Sequence, residues 1–204
     1  MTHSLHRRGT AESLSGDYVF IMIQAVGFNE NGAVPKMQEF LRIALRHKPV
    51  NIGSVDLGGR IDKPEEVIAN LQKIAHVVFD NQEAVIAFLK DLKKADLGLS
   101  VTLSGIYEKV DECLAKSGLK HHTANFSLGI WGKTEKLPSN DILEVITMCG
   151  HALISANLVK AMVEDIKAKR KTPGEAAKTL MPQCACGVFN PARAAKLMAA
   201  MARK

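Results

Sequence analysis

The sequence predicts an α/β or α+β protein: a sheet of about four or five strands with packed helices, followed by a small all-α C-terminal unit. Three observations lead there. Short runs of strand formers alternate with amphipathic helical stripes through residues 17–135. A polar connector, G-K-T-E-K-L-P, then interrupts the pattern at residues 132–138. Beyond it the periodic stretches all follow the 3.6-residue repeat of a helix. The organisation expected is an N-terminal arm (1–16), a sheet domain (17–135) and a helical unit (136–204).

Residues 1–16 carry His3, His6, Arg7 and Arg8 among Ser and Thr without periodicity. They read either as a mobile polar terminus or as an arm closing over an anionic ligand. Residues 18–26 (Y-V-F-I-M-I-Q-A-V) form a continuous apolar run, as expected of a strand buried on both faces. Turn residues 27–32 lead to a helix opened by Pro35, with Met37, Phe40, Leu41, Ala44 and Leu45 on one side and Pro49 at its end. Residues 50–55 are a short strand. The following Leu57-Gly58-Gly59-Arg60 is either a plain turn or a close backbone approach to a phosphate, with Arg60 supplying charge.

A short helix is expected over 64–71, a strand over 73–79 and a helix over 81–94 opened by an Asp80/Glu83 capping box. A strand over 97–103 and a helix over 106–116 follow, with Cys113 on the apolar stripe of that helix as a core thiol. His121 and His122 enter a last expected strand over 123–131. Neighbours on a strand point to opposite faces, so only one of the two histidines can serve a given site.

Hydrophobic residues make up 47% of the chain and charged residues 24%, the range of ordinary globular proteins. No apolar run reaches the roughly 18 residues of a membrane helix, and the first residues lack the apolar core of an export signal. Four cysteines, two of them one residue apart, do not make a disulfide framework, so a reducing, cytoplasmic setting is expected. The net charge of +6 is unevenly placed: residues 155–204 hold ten Lys or Arg against three acids, a balance of +7 that leaves −1 for the remainder. Such a face suits an acidic partner protein, or merely keeps helices wet. Aromatics at 5% and the absence of RNP-like or zinc-finger spacing argue against nucleic acid.

The densest chemistry lies in the C-terminal third. Cys149 and His151 form a C-G-H triplet after a helix capped by Ser139. A longer helix follows, then a capping box at T-P-G-E (172–175), then Cys184 and Cys186 in C-A-C-G, and finally a helix opened by Asn190-Pro191. The thiols fall at helix breaks, where backbone N–H groups at a helix start stabilise a thiolate or a thiolate-bound cluster. Packing alone could also bring these side chains together, and a redox thiol pair is a further alternative.

The run C149-G-H-A-L-I-S, T-P-G-E-A-A-K-T-L and C184-A-C186-G resembles the bacterioferritin-associated-ferredoxin type of [2Fe-2S] domain. The resemblance covers about 55 residues and implies that Cys149, His151, Cys184 and Cys186 are the four ligands of a [2Fe-2S] cluster. His151 stands where the family has a second cysteine, and the later pair is one residue apart where the family usually has two. A Cys3His set also suits zinc. The expected function is therefore that of an iron–sulfur or metal-binding redox protein passing electrons to an acidic partner. The alternative is a small-molecule-binding protein or enzyme, with His121 or His122, His151, Cys149, Arg7 and Arg60 around a pocket between sheet and helical unit.

Overall fold

The computed structural model describes residues 6–204 and has the expected α/β architecture. In chain order the elements are α1 (Ala11–Leu14), β1 (Tyr18–Ile23), α2 (Ala33–Leu45), β2 (Asn51–Ser54), β3 (Gly58–Gly59), α3 (Pro64–Asn70), β4 (Ile74–Phe79), α4 (Gln82–Ala95), β5 (Ser100–Ser104) and α5 (Tyr107–Lys116). The C-terminal third adds α6 (Asn140–Ile146), α7 (Ala156–Lys167), α8 (Pro173–Leu180) and α9 (Pro191–Arg203). The strands form one sheet in the order β3-β2-β4-β1-β5, every neighbouring pair antiparallel. Because β4 lies between β1 and β2, and β1 between β4 and β5, the units β1-α2-β2 and β4-α4-β5 interleave as a split β-α-β pattern.

The continuous apolar run of β1 is explained by this position. Tyr18, Phe20 and Met22 point to one core, shared with α2, α3, α4 and α5. Val19 and Ile21 point to the other, shared with Val78 of β4 and with α6 to α9. The C-terminal helices therefore cover the sheet face that α2 and α4 leave open, and the chain packs as helices, sheet and helices. Within the first core Phe20, Phe79 and Phe88 meet edge to face or tilted at 5.0–5.9 Å, the geometry that aromatic quadrupoles favour.

Several local expectations change. Residues 123–131 are not a strand: they run without regular structure across the surface, with Phe126, Leu128 and Trp131 exposed. Their alternation is strand-like, but none of the five strands pairs with them; the fifth strand is instead the Gly58–Gly59 pair. The cap of α4 is Asn81, whose side chain accepts from Ala84 N at 2.8 Å, in place of an Asp80/Glu83 box. The box at Thr172 and Glu175 forms as expected. Residues 6–16 are no loose arm: Thr10 caps α1, and Arg7 and Arg8 are tied into the fold. His3 lies outside the described residues. Among the described residues no helix is long and apolar enough to cross a membrane.

Tyr18 is 1% exposed, and its hydroxyl meets no hydrogen-bond partner among the described residues. Burial, with Cys113 and Glu112 nearby, pushes its phenol from 10 up to about 12. The folded value is the raised one, so this contribution to stability is complete below the unfolded value and is lost as pH rises through the folded one. Tyr18→Phe is expected to leave stability at neutral pH unchanged or raised by about 1 kcal/mol, since it removes an unpartnered buried hydroxyl. It should also flatten the loss between pH 10 and 12, read from denaturant midpoints across that range.

Candidate functional site

The four residues of the C-G-H and C-A-C motifs come together although 35 residues separate His151 from Cys186. Cys149 follows α6, Cys184 follows a 3-10 turn at Met181–Gln183, and α7 and α8 form the hairpin that folds one motif onto the other. The Cys184 and Cys186 sulfurs are 3.9 Å apart, and Cys186 Sγ lies 3.7 Å from His151 Nδ1. Cys149 and Cys184 are hydrogen-bonded to one another. All three thiols are buried, while His151 is exposed.

The thiols influence one another in turn. The hydrogen bond with Cys184, together with burial, pushes the Cys149 thiol up. At Cys184 the contact with Cys149 lowers the thiol, but the contact with Cys186 and burial outweigh that effect and leave it raised. Cys186 is held below the usual thiol value, first by the Cys184 hydrogen bond and then by the backbone N–H of Val188. It is the member most readily present as thiolate.

Backbone donors at the sulfurs are the N–H groups of His151 and Leu153 for Cys149, Gly187 for Cys184 and Val188 for Cys186. They belong to the turns themselves and not, as the sequence suggested, to helix starts: α9 begins only at Pro191. Among the described residues no three His, Cys, Asp or Glu side chains already surround one point as a metal shell. The four groups are instead strung side by side.

The chain matches no family model, no curated protein and no solved structure.

What holds the C-A-C-G turn is a set of residues that the motifs do not reveal. Gly187 has φ +77, and a Cβ there would stand 2.8 Å from Gly59 Cα and 2.9 Å from Gly53 Cα. The glycines of β2 and β3 thus serve contact with the cysteine turn, and no phosphate cradle needs to be invoked for them. Asn51 Nδ2 donates to Gly187 O at 3.1 Å and Phe189 O at 3.0 Å. Arg7 donates to Val188 O and, through its other nitrogen, to both oxygens of Asp17 at 2.6 and 2.7 Å.

Asn190 caps α9 and donates to Gly16 O and Asp17 Oδ1, both at 3.0 Å. Arg193 completes the cluster from Asp17 Oδ2 at 3.2 Å to Glu144 Oε2 at 3.3 Å. A polar Asn in the inward register of a short strand was the one available signal for Asn51. For Arg193 it was a basic residue on the apolar stripe of the last helix.

The remaining candidates lie elsewhere. Arg7 pairs with Asp17, donates to the turn backbone and also lines the cavity beside β5. Arg60 pairs with Asp62 and Glu66, each at 3.7 Å. His121 and His122 line a cavity of about 620 Å³ beside β5, α4 and α5. Neither Cys149 nor His151 is among its lining residues, so this cavity at the β5 edge does not bring the two histidines to the thiols.

Asn51→Ala would remove two buried hydrogen bonds and strand two carbonyls. It is expected to lower stability by about 2–3 kcal/mol, read as a shift of the urea midpoint at constant m-value. It should also make Cys184 and Cys186 react faster with a thiol reagent under native conditions.

Proposed function

We propose that this chain is a metal-binding protein whose centre is held by Cys149, His151, Cys184 and Cys186. The observation that carries the reading is the spacing of the side chains. In a tetrahedral site with metal–sulfur bonds of about 2.3 Å and a metal–nitrogen bond of about 2.0 Å, sulfurs stand about 3.8 Å apart and sulfur and nitrogen about 3.5 Å. The observed 3.9 and 3.7 Å are within tenths of those edges. Small side-chain rotations would turn the line of groups into a shell, and the backbone N–H groups already at the sulfurs favour the deprotonated thiols that a metal needs.

Contacts run across the two motifs, Cys186 to His151 and Cys184 to Cys149, as one compact group. That favours a single ion, and a Cys3His set of this kind is typical of zinc. A [2Fe-2S] cluster is the second reading, supported by the same sulfur-directed N–H groups, which tune cluster potentials. In that case electrons would pass to an acidic redox partner on the basic helices α7 to α9.

Metal and acid-labile sulfide analysis after oxygen-free purification separates these readings. The expected result is about one zinc per chain and no sulfide, with occupancy falling at least roughly tenfold in Cys184→Ser. About two irons with two sulfides would establish the cluster. Metal-free protein that binds neither zinc nor iron on reconstitution contradicts the proposal.

A further inference from the structure

The cavity at the β5 edge takes no part in the thiol centre, and its walls have a chemistry of their own. Its 620 Å³ falls within the span of small-molecule sites, about 300–1,000 Å³. Val101 and Leu103 of β5, Leu89 of α4 and Leu114 of α5 supply an apolar floor. One side is aromatic: the Tyr107 and Phe126 rings lie 5.2 Å apart, and Tyr107 and His121 5.7 Å. Phe126 is 64% exposed while lining the cavity, so ring surface remains for a flat molecule to cover.

His121 is held between two neighbours, Asp111 Oδ1 at 3.1 Å from Nδ1 and the Tyr107 hydroxyl at 3.3 Å from Nε2. That fixes the aromatic side in place. The charges at the wall are unequal after pairing. Asp17 is matched by Arg7, whereas Asp111 contacts His121, a ring that carries charge only when protonated. Lys93 and Lys120 also line the cavity and form no ion pair among the described residues; Lys93 Nζ donates only to Gly118 O at 2.7 Å. With two ammonium groups against one remaining carboxylate, Asp111, the wall is net positive. An ammonium group is a compact point charge, and it suits a small anion such as a single carboxylate.

We propose that this cavity binds an aromatic monocarboxylate, its ring on the Tyr107–Phe126 side and its carboxylate toward Lys120. The site is independent of the metal centre, and its test is arranged to show that.

The probe is 1-naphthoate, titrated into the full chain by calorimetry and compared with 1-naphthylmethylamine, which has the same ring system and opposite charge. Saturable binding of naphthoate at or below about 1 mM is expected, with the amine weaker by roughly tenfold. Lys120→Glu and Phe126→Ala, both at exposed positions, should each weaken naphthoate roughly fivefold. Cys184→Ser should leave naphthoate affinity unchanged even where it abolishes metal binding. No saturable naphthoate binding, equal affinity for amine and carboxylate, or indifference to both cavity variants would overturn the proposal.

Discussion

The arrangement rests on how the backbone of residues 187–190 is gripped. Asn51 holds Gly187 and Phe189, Arg7 holds Val188, and the Asn190 side chain reaches Gly16 and Asp17. Polar groups buried this deeply cost more than they return unless they are matched. Most of the matching is provided by parts of the chain more than a hundred residues apart, while Asn51 Oδ1 and Arg7 Nε meet no hydrogen-bond partner among the described residues. A turn gripped at each step leaves Cys184 and Cys186 little freedom, and the glycines opposite it let the turn lie against the β2–β3 hairpin. The α7–α8 hairpin then has only to return the C-G-H motif to the same place.

The Asp17 cluster is the costly part of that grip. Arg7 and Arg193 share one carboxylate that is wholly buried, and burial pulls the Arg193 guanidinium below its usual value before Asp17 and Glu144 restore part of it. Removing one partner of such a cluster would leave an uncompensated buried charge, a loss of about 3–5 kcal/mol. An apolar replacement of the whole could be as stable. It would not, however, direct α9, β1 and residues 6–16 to one point, and specificity of that kind is what the cluster supplies here.

Much of the fold was legible because it depends on local periodicity. The unbroken run in β1, the stripe of α2 and the Thr172 capping box each carry their meaning within about a dozen residues. The coming together of the thiols rests on a longer span, the helical hairpin α7–α8 that lies between the motifs. Residues 123–131 misled because alternation states what a strand would look like and not whether a partner is free to pair. Gly58–Gly59 became the edge strand with no β propensity at all, since contact with Gly187 required the absence of side chains. The antiparallel order was hidden for a similar reason: alternating strands and helices leave open whether a later strand inserts between earlier ones. Asn51 and Arg193 gave no more than a polar residue in an apolar register, because their partners Gly187 and Asp17 lie 136 and 176 residues away, and the first is a backbone atom that no motif records.

The central claim is that three sulfurs and one imidazole act as a single ligand set. X-ray absorption at the edge of whichever metal co-purifies reads this directly. A first shell of three sulfurs near about 2.3 Å and one nitrogen near about 2.0 Å is the result expected for zinc. A shell of oxygen and nitrogen alone, with no sulfur scatterer, would contradict it.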